Sequence, residues 1–158
     1  MSQISNHTFD EIFIGQTATF SRKIGEREIL LYAAASGDVN PVHLDAEYAA
    51  GSIFGERIAQ GMMTGAVISA ALALVLPGPG TIYLGQNLQF WLPVKIDDEI
   101  TVQLEVTSKR EDKKFVTLDC DVINQHGETV ANGTAKVVAP VEKITIDRPA
   151  EPRFHIDV

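Results

Sequence analysis

The chain has little of what several common protein classes depend on. It has one cysteine among 158 residues, so it can form no disulfide bond within the chain. Cys120 lies among the apolar members of an alternating run, which predicts a buried and inert thiol. The sequence has no paired cysteines and no His-Glu-x-x-His motif, and so shows no signature of a metal site.

Positive charge is also scarce. The chain has 13 lysines and arginines against 21 acidic residues, a formal net charge of −8, which argues against binding nucleic acid or an anionic membrane surface. The longest apolar run, 61–76, is shorter than the ~20 residues that a membrane span needs. The N-terminal sequence has neither a basic segment nor an apolar one that would indicate a signal peptide, so we expect a cytoplasmic protein.

The first half of the chain predicts one strand and then three helices. The alternating run 17–24 predicts the strand, and 26–36 predicts a helix that ends at Gly37 in a left-handed conformation. A short helix is predicted over 46–50, after a capping aspartate. The segment 61–76 has apolar residues on nearly every side, which predicts a helix that is buried all round.

The second half of the chain alternates with a period of two. This pattern predicts four strands, over 81–92, 99–108, 115–125 and 128–138. Joined as an antiparallel meander, they can wrap the buried helix, which predicts an α+β fold with the helices on one face of the sheet. The tail 140–158 has three prolines and no usable periodicity, so we expect an arm or the stub of a linker after a domain over 1–139.

One short loop brings together groups that can handle water. The segment Ser36-Gly37-Asp38-Val39-Asn40-Pro41-Val42-His43 contains a carboxylate, a carboxamide and an imidazole, and its proline is expected to forbid a regular helix. Asp38 and His43 could hold and deprotonate a water molecule, and Asn40 could orient a partner. Aspartate and asparagine beside glycine and proline are also ordinary turn formers, so a structural role is the open alternative.

The start of the apolar helix predicts a second functional element. Free backbone amides point out of a helix N-terminus, and a glycine there lets a ligand approach them, so Gly61 could stabilise a developing oxyanion. The alternative is that Gly61 only relieves crowding between helix and sheet. Met62, Ser69 and Leu72 could line an acyl pocket, although core packing is the favoured explanation for an apolar helix.

Several separated motifs resemble those of the MaoC-like (R)-specific enoyl-CoA hydratases. They are SGDVNPVHLD at 36–45, RIAQGM at 57–62, GTIYLGQNLQF at 80–90, LPV at 92–94 and DEI at 98–100. The motifs occur in the family's order, and the resemblance extends over about 12–138. It implies the hot-dog fold, a curved antiparallel sheet around a long central helix, and a homodimer or larger assembly.

The resemblance also implies a reaction and roles for the candidate residues. Asp38 and His43 would hold the water that adds to a trans-2-enoyl-CoA, giving an (R)-3-hydroxyacyl-CoA or running the reverse. Asn40 would support the site and the substrate, and the Gly61 amide would polarise the thioester carbonyl. No separate cofactor is implied, because CoA is part of the substrate.

One position departs from the family pattern. Gln60, a candidate for substrate binding, stands where the family commonly has histidine, and a glutamine cannot become cationic. We therefore expect activity to be kept, with a substrate range and a rate that can differ from those of the family. Two other functions are compatible with the same fold, a hot-dog acyl-CoA thioesterase and a non-catalytic acyl-CoA-binding subunit. The predicted central helix has no Asp or Glu to serve a thioesterase, and Asp38 and His43 are both present, so the hydratase is favoured.

Overall fold

The computed structural model describes residues 2–158. The four helices are α1 (Glu26–Ser36), α2 (Pro41–Leu44), α3 (Ala46–Ala50) and α4 (Gly61–Leu74). The strands are β1 (Gln3–Ser5), β2 (Thr17–Ile24), β3 (Ile82–Phe90), β4 (Asp98–Arg110), β5 (Phe115–Ile123), β6 (Thr129–Val138) and β7 (Thr145–Asp147). Within 2–158, no helix is both long enough and apolar enough to cross a bilayer.

Five strands form one antiparallel sheet in the order β2-β4-β5-β6-β3. The predicted four-stranded meander is therefore wrong: β4, β5 and β6 form a meander, but β3 pairs with β6 and lies at the far edge from β2. Asp97, just before β4, donates its N–H to the Ile24 carbonyl at the end of β2 (2.7 Å). Periodicity assigns residues to faces of a strand but does not choose the strand's neighbour.

The sheet curves around α4, whose inner face makes the core. Val67, Ile68, Ala71 and Leu72 are buried there against apolar side chains from β4, β5 and β6. Cys120 is among those side chains and is fully buried, as predicted. The expectation that α4 is buried all round is wrong for the single chain, because its outer face leaves Met62 54% exposed.

The C-terminal tail packs on the body of the protein. Strand β7 pairs with β1, with Gln3 opposite Asp147, in a small separate sheet that the sequence pattern does not predict. Beyond it, Glu151 accepts two hydrogen bonds from the Arg22 guanidinium, at 2.9 and 2.5 Å. The predicted arm therefore lies against β2, and the division into a domain over 1–139 and an arm stays a prediction.

Candidate active site

The loop after α1 is held by a chain of short-range hydrogen bonds. Gly37 has φ 80° and donates its N–H to Ala33 O, which confirms the predicted end of the helix. The Ser36 hydroxyl donates to Tyr32 O (2.7 Å) and accepts from the Asp38 N–H (3.1 Å). The direction in which the chain leaves α1, and with it the position of Asp38, is thus set by side chains within the loop.

The next turn shows that one sequence prediction is wrong. Asp38 Oδ1 accepts from the Asn40 N–H (3.2 Å), and Asn40 Oδ1 accepts from the Val42 N–H (3.2 Å), which caps α2. Pro41 occupies the first position of that helix. We expected Pro41 to forbid a regular helix; it begins a short one instead, because the first helical residue needs no N–H and its φ suits proline. Helix α2 then carries His43 into the protein.

His43 is 7% exposed, and a hydrogen bond at Nδ1 fixes its ring. Nδ1 lies 2.8 Å from the Ile58 carbonyl oxygen. A carbonyl can only accept, so Nδ1 carries the proton and Nε2 of the neutral ring has a free lone pair. Nε2 faces Asp38, at 3.6 Å from Oδ2.

The two facing atoms are both acceptors when the imidazole is neutral. A water molecule between them can donate one hydrogen to Nε2 and the other to Oδ2, which leaves the lone pairs of its oxygen directed away from both groups. The Asp38 side chain is 42% exposed, so water reaches this position from outside. The pair predicted from the sequence is therefore brought together in a geometry that suits an attacking water.

Arg57 is part of the support for His43, whereas from the sequence we expected a solvated surface charge or a contact to a CoA phosphate. Its Nε donates to the His43 carbonyl (2.8 Å), and its Nη1 donates to Glu26 at the start of α1 (2.7 Å). The side chain is 13% exposed. The RIAQGM motif contains Arg57 and Ile58, so the resemblance marked the segment without showing what these residues contact.

The N-terminus of α4 lies at the same place. Gly61 is the first residue of the helix and Gln60 its N-cap, with no side-chain hydrogen bond to the cap. The Gly61 N–H therefore has no acceptor within the helix. A Cβ added at Gly61 would lie 3.8 Å from the Phe90 ring, an ordinary contact. Crowding does not require glycine here, so the structural alternative loses its main support.

A cavity of about 270 Å³ lies between His43 and the start of α4, and neither Asp38 nor Asn40 lines it. His43, Gln60, Gly61 and Thr64 line it together with apolar residues from the loop before α4, from the end of β3 and from the connection that follows: Phe54, Ile58, Ala59, Phe90, Trp91, Leu92, Pro93 and Val94. Thr64, the aromatic walls and the Ile58 carbonyl were not among the predicted site residues. The signals were available: Thr64 is one of two hydroxyl residues in α4, and the motifs at 57–62, 80–90 and 92–94 include Ile58, Phe90 and residues 92–94.

Three predicted substrate contacts lie elsewhere on α4. Met62 points to the outer face, Ser69 is half-buried, and Leu72 is 1% exposed in the core. Ser69 is about 12 Å along the axis from Gly61 at the usual rise of ~1.5 Å per residue. None of the three lines the cavity at His43, and their roles stay predictions.

Gln60 is almost completely buried, at 2% exposure. Its Nε2 donates to the Ile29 carbonyl of α1 (3.2 Å). Its Oε1 is buried, and within the described residues it has no hydrogen-bond partner. The residue that departs from the family pattern thus lies inside the wall of the site, against α1.

Known proteins resemble this chain over nearly all of its length. The family model described as "MaoC like domain" matches residues 11–126. An (R)-specific enoyl-CoA hydratase of Aeromonas caviae is 43% identical over 127 residues, which cover 80% of this chain and 95% of that protein. Another, from Rhodospirillum rubrum, is 43% identical over 136 residues and covers 85% of this chain and 92% of that protein.

The likeness extends to three dimensions. The solved structure of R-hydratase PhaJ1 from Pseudomonas aeruginosa, in the unliganded form, matches with a TM-score of 0.94 at 50% identity and covers 99% of this chain and 100% of that one. The (R)-hydratase structure from A. caviae matches with a TM-score of 0.79 over 82% of this chain and 98% of that one. The sheet, the central helix and the motif-bearing loop are thus all shared with these proteins, and the chain belongs to the MaoC-like (R)-specific enoyl-CoA hydratase family, with the hot-dog fold expected of it.

Proposed function

We propose that this protein catalyses the reversible syn addition of water to a trans-2-enoyl-CoA, giving an (R)-3-hydroxyacyl-CoA. The observation that carries the proposal is the placement of His43 Nε2 3.6 Å from Asp38 Oδ2, beside a cavity that also contains the N-terminus of α4. The two hydratases that are each 43% identical support the same substrate class and stereochemistry.

The bound water is the nucleophile. As its oxygen forms a bond to C3 of the enoyl group, His43 Nε2 takes one of its protons, and the Asp38 carboxylate stabilises the resulting imidazolium. The electron pair of the C2–C3 double bond moves toward the thioester carbonyl. The imidazolium then returns the proton to C2, so one molecule of water has been added across the double bond and the enzyme is unchanged.

The negative charge of the intermediate develops on the thioester oxygen. The Gly61 N–H, free at the start of α4, is the donor that we assign to that oxygen, and the helix dipole favours negative charge there. Because the donor is a backbone group, the role does not depend on whether residue 60 is histidine or glutamine.

The remaining substrate contacts are proposals drawn from position. Asn40 uses its Oδ1 to cap α2, which leaves its amide Nδ2 able to donate toward the substrate. We propose that the acyl chain runs along α4 past Met62 toward Ser69, so that these side chains limit its length and branching. Leu72 lies in the core on the inner face of the helix, and its role stays a prediction.

We also propose that the protein acts as a homodimer through the β3 edge of the sheet. β3 is an edge strand, and its side chains Ile82, Leu84 and Phe90 are 58%, 47% and 50% exposed. Met62 on the outer face of α4 is also exposed. An apolar edge strand next to an apolar helix face is a surface that natural proteins cover, and a second copy that places its own β3 alongside would cover both.

A hydration assay tests the function. We expect the purified protein to consume crotonyl-CoA, a short trans-2-enoyl-CoA, and to form a 3-hydroxybutyryl-CoA that an (R)-specific dehydrogenase accepts. Release of CoA from butyryl-CoA, at a rate above background, would favour the thioesterase instead. Tight binding of enoyl-CoA esters of all chain lengths without turnover would favour a non-catalytic subunit.

A further inference from the structure

The Gln60 side chain connects the two elements that present the candidate catalytic groups. Its Nε2 donates to Ile29 O in the N-terminal half of α1, and both residues are buried, at 2% and 0% exposure. Helix α1 leads into the loop that carries Asp38, while Gln60 itself is the residue before Gly61. A single hydrogen bond thus spans from the Asp38 side of the site to the Gly61 side.

His43 is tied to the same segment from the other direction. Its Nδ1 donates to Ile58 O, two residues before Gln60, and its Nε2 faces Asp38. The 58–60 segment therefore contacts both His43, which faces Asp38, and helix α1, which leads to Asp38. If the Gln60 bond is lost, the first turn of α4 can shift relative to α1, and the distance from the Gly61 N–H to the water position shifts with it.

Stability of the fold does not account for this glutamine. Its Oε1 is buried and has no hydrogen-bond partner within residues 2–158. A buried acceptor without a partner costs free energy that an apolar side chain of the same shape would not. The residue thus carries a penalty in the folded state while it keeps its donor on α1, which is the pattern of a residue retained for the site.

We propose that Gln60 is a positioning residue for the hydration reaction, which holds the N-terminus of α4 against α1 so that the Gly61 amide and the Asp38–His43 pair act on one substrate. This inference rests on the proposed function. It assigns Gln60 no contact with the substrate, and so replaces the substrate-binding role expected from the sequence. The hydrogen-bond donor at residue 60 is the feature that matters, and a neutral histidine can provide one as well.

The test is Gln60→Met, which keeps the approximate volume and removes both polar atoms. We expect a melting temperature no lower than that of the wild type, an unchanged KM for crotonyl-CoA, and a kcat lowered by about tenfold or more, because small misplacements of reacting groups are costly. We expect Gln60→His, which restores a donor, to recover most of the loss. Asn124→Ala is the matched control: Asn124 bonds the turn before β6 through three hydrogen bonds, so this variant should melt earlier with kcat unchanged.

A second readout does not depend on activity. Amide hydrogen exchange in 36–43 should be faster in Gln60→Met than in the wild type, and close to wild type in Gln60→His. The positioning role is overturned if Gln60→Met unfolds or melts earlier with kcat unchanged, if KM alone changes, or if Gln60→His remains as slow as Gln60→Met. A wild-type protein that hydrates no enoyl-CoA contradicts the proposed function, whereas the exchange comparison would still test the link between α1 and α4.

Discussion

His43 Nε2 lies 3.6 Å from Asp38 Oδ2, while the other ring nitrogen of His43 donates to the Ile58 carbonyl at 2.8 Å. The second contact determines the first: it fixes the ring plane and places the proton on Nδ1, so that the nitrogen facing Asp38 is free to accept. Without the Ile58 carbonyl, His43 would not hold the tautomer and orientation that let Nε2 accept a proton from water beside Asp38.

Removing either member of the pair should abolish most of the activity without unfolding the protein. Asp38→Asn and His43→Gln keep the size of the side chain but lose the charge or the basic nitrogen, and each should lower kcat for crotonyl-CoA by about 10²–10⁴-fold, the usual contribution of general acid–base catalysis. Steady-state kinetics with circular dichroism measures both properties. His126→Gln, at an exposed histidine in the turn between β5 and β6, is the control and should match the wild type. Turnover within a few fold of wild type in either pair variant would show that the roles are assigned wrongly.

The substitution Gly61→Pro removes the backbone N–H of residue 61 and so tests whether that group is the oxyanion donor. Proline is tolerated at the first position of a helix, and Gln60 already has the extended ψ of 137° that a residue before proline prefers. Gly61→Pro should therefore fold, yet lower kcat by about 10²–10³-fold through loss of one oxyanion donor.

Gly61→Ala is the matched variant for this experiment. It keeps the N–H, and its Cβ would only contact the Phe90 ring at 3.8 Å, so we expect activity close to wild type. If Gly61→Pro were folded and fully active, the Gly61 amide could not be the oxyanion donor. If Gly61→Ala were as inactive as Gly61→Pro, shape rather than the amide would be the property that matters.

The proposed dimer makes a separate prediction about the β3 edge. Leu84→Lys places a charge on the apolar edge strand and should shift the protein from dimer to monomer in light scattering coupled to gel filtration. Ile14→Lys changes an even more exposed apolar residue, at 65% against 47% for Leu84, just before the opposite edge strand β2, and should leave the mass unchanged. A wild-type protein that is monomeric at all accessible concentrations would contradict the proposal directly.

Cys120 reports on the integrity of the core. Burial raises the pKa of its thiol to about 11, so the reactive thiolate is disfavoured in the folded protein at neutral and mildly alkaline pH. A thiol reagent at pH 8 should modify the native protein far more slowly than the urea-unfolded protein, in which the pKa returns to its ordinary range. Rapid and complete labelling of the native protein would mean that the sheet does not pack on α4 as described.

Much of the fold could be predicted from the sequence, because local patterns determine local structure. β2, α1 and α3 have the predicted bounds, and the ends of β3 to β6 differ from prediction by at most two residues. The order of strands could not be predicted, since β3 and β4 have the same alternation whether or not they are neighbours. Gly133 shows what the pattern concealed: a Cβ there would lie 2.0 Å from Asn87 O, so this glycine permits the close approach of β3 to β6.

The sequence allowed us to choose the candidate catalytic groups, but not the residues that surround them. Asp38, His43 and Gly61 could be chosen because their chemistry is rare and their spacing is informative. Arg57 could not, because a charged residue on a short loop gives no sign that its Nε will bond His43 O. Trp91 and Phe54 reach the cavity through the connection after β3 and the loop before α4, and only the three-dimensional arrangement brings them there.

In the proposed reaction, one water, held between Asp38 and His43, delivers both its oxygen and its proton to the same face of the enoyl group. Hydration of crotonyl-CoA in deuterium oxide tests this directly, because the product then carries deuterium at C2 and a new hydroxyl at C3. NMR analysis of the product should show an (R) centre at C3 and a single deuterium added to C2 on the same face as the hydroxyl. Deuterium added to the opposite face, or to both faces, would contradict the account, since it would require a proton donor outside the Asp38–His43 pair.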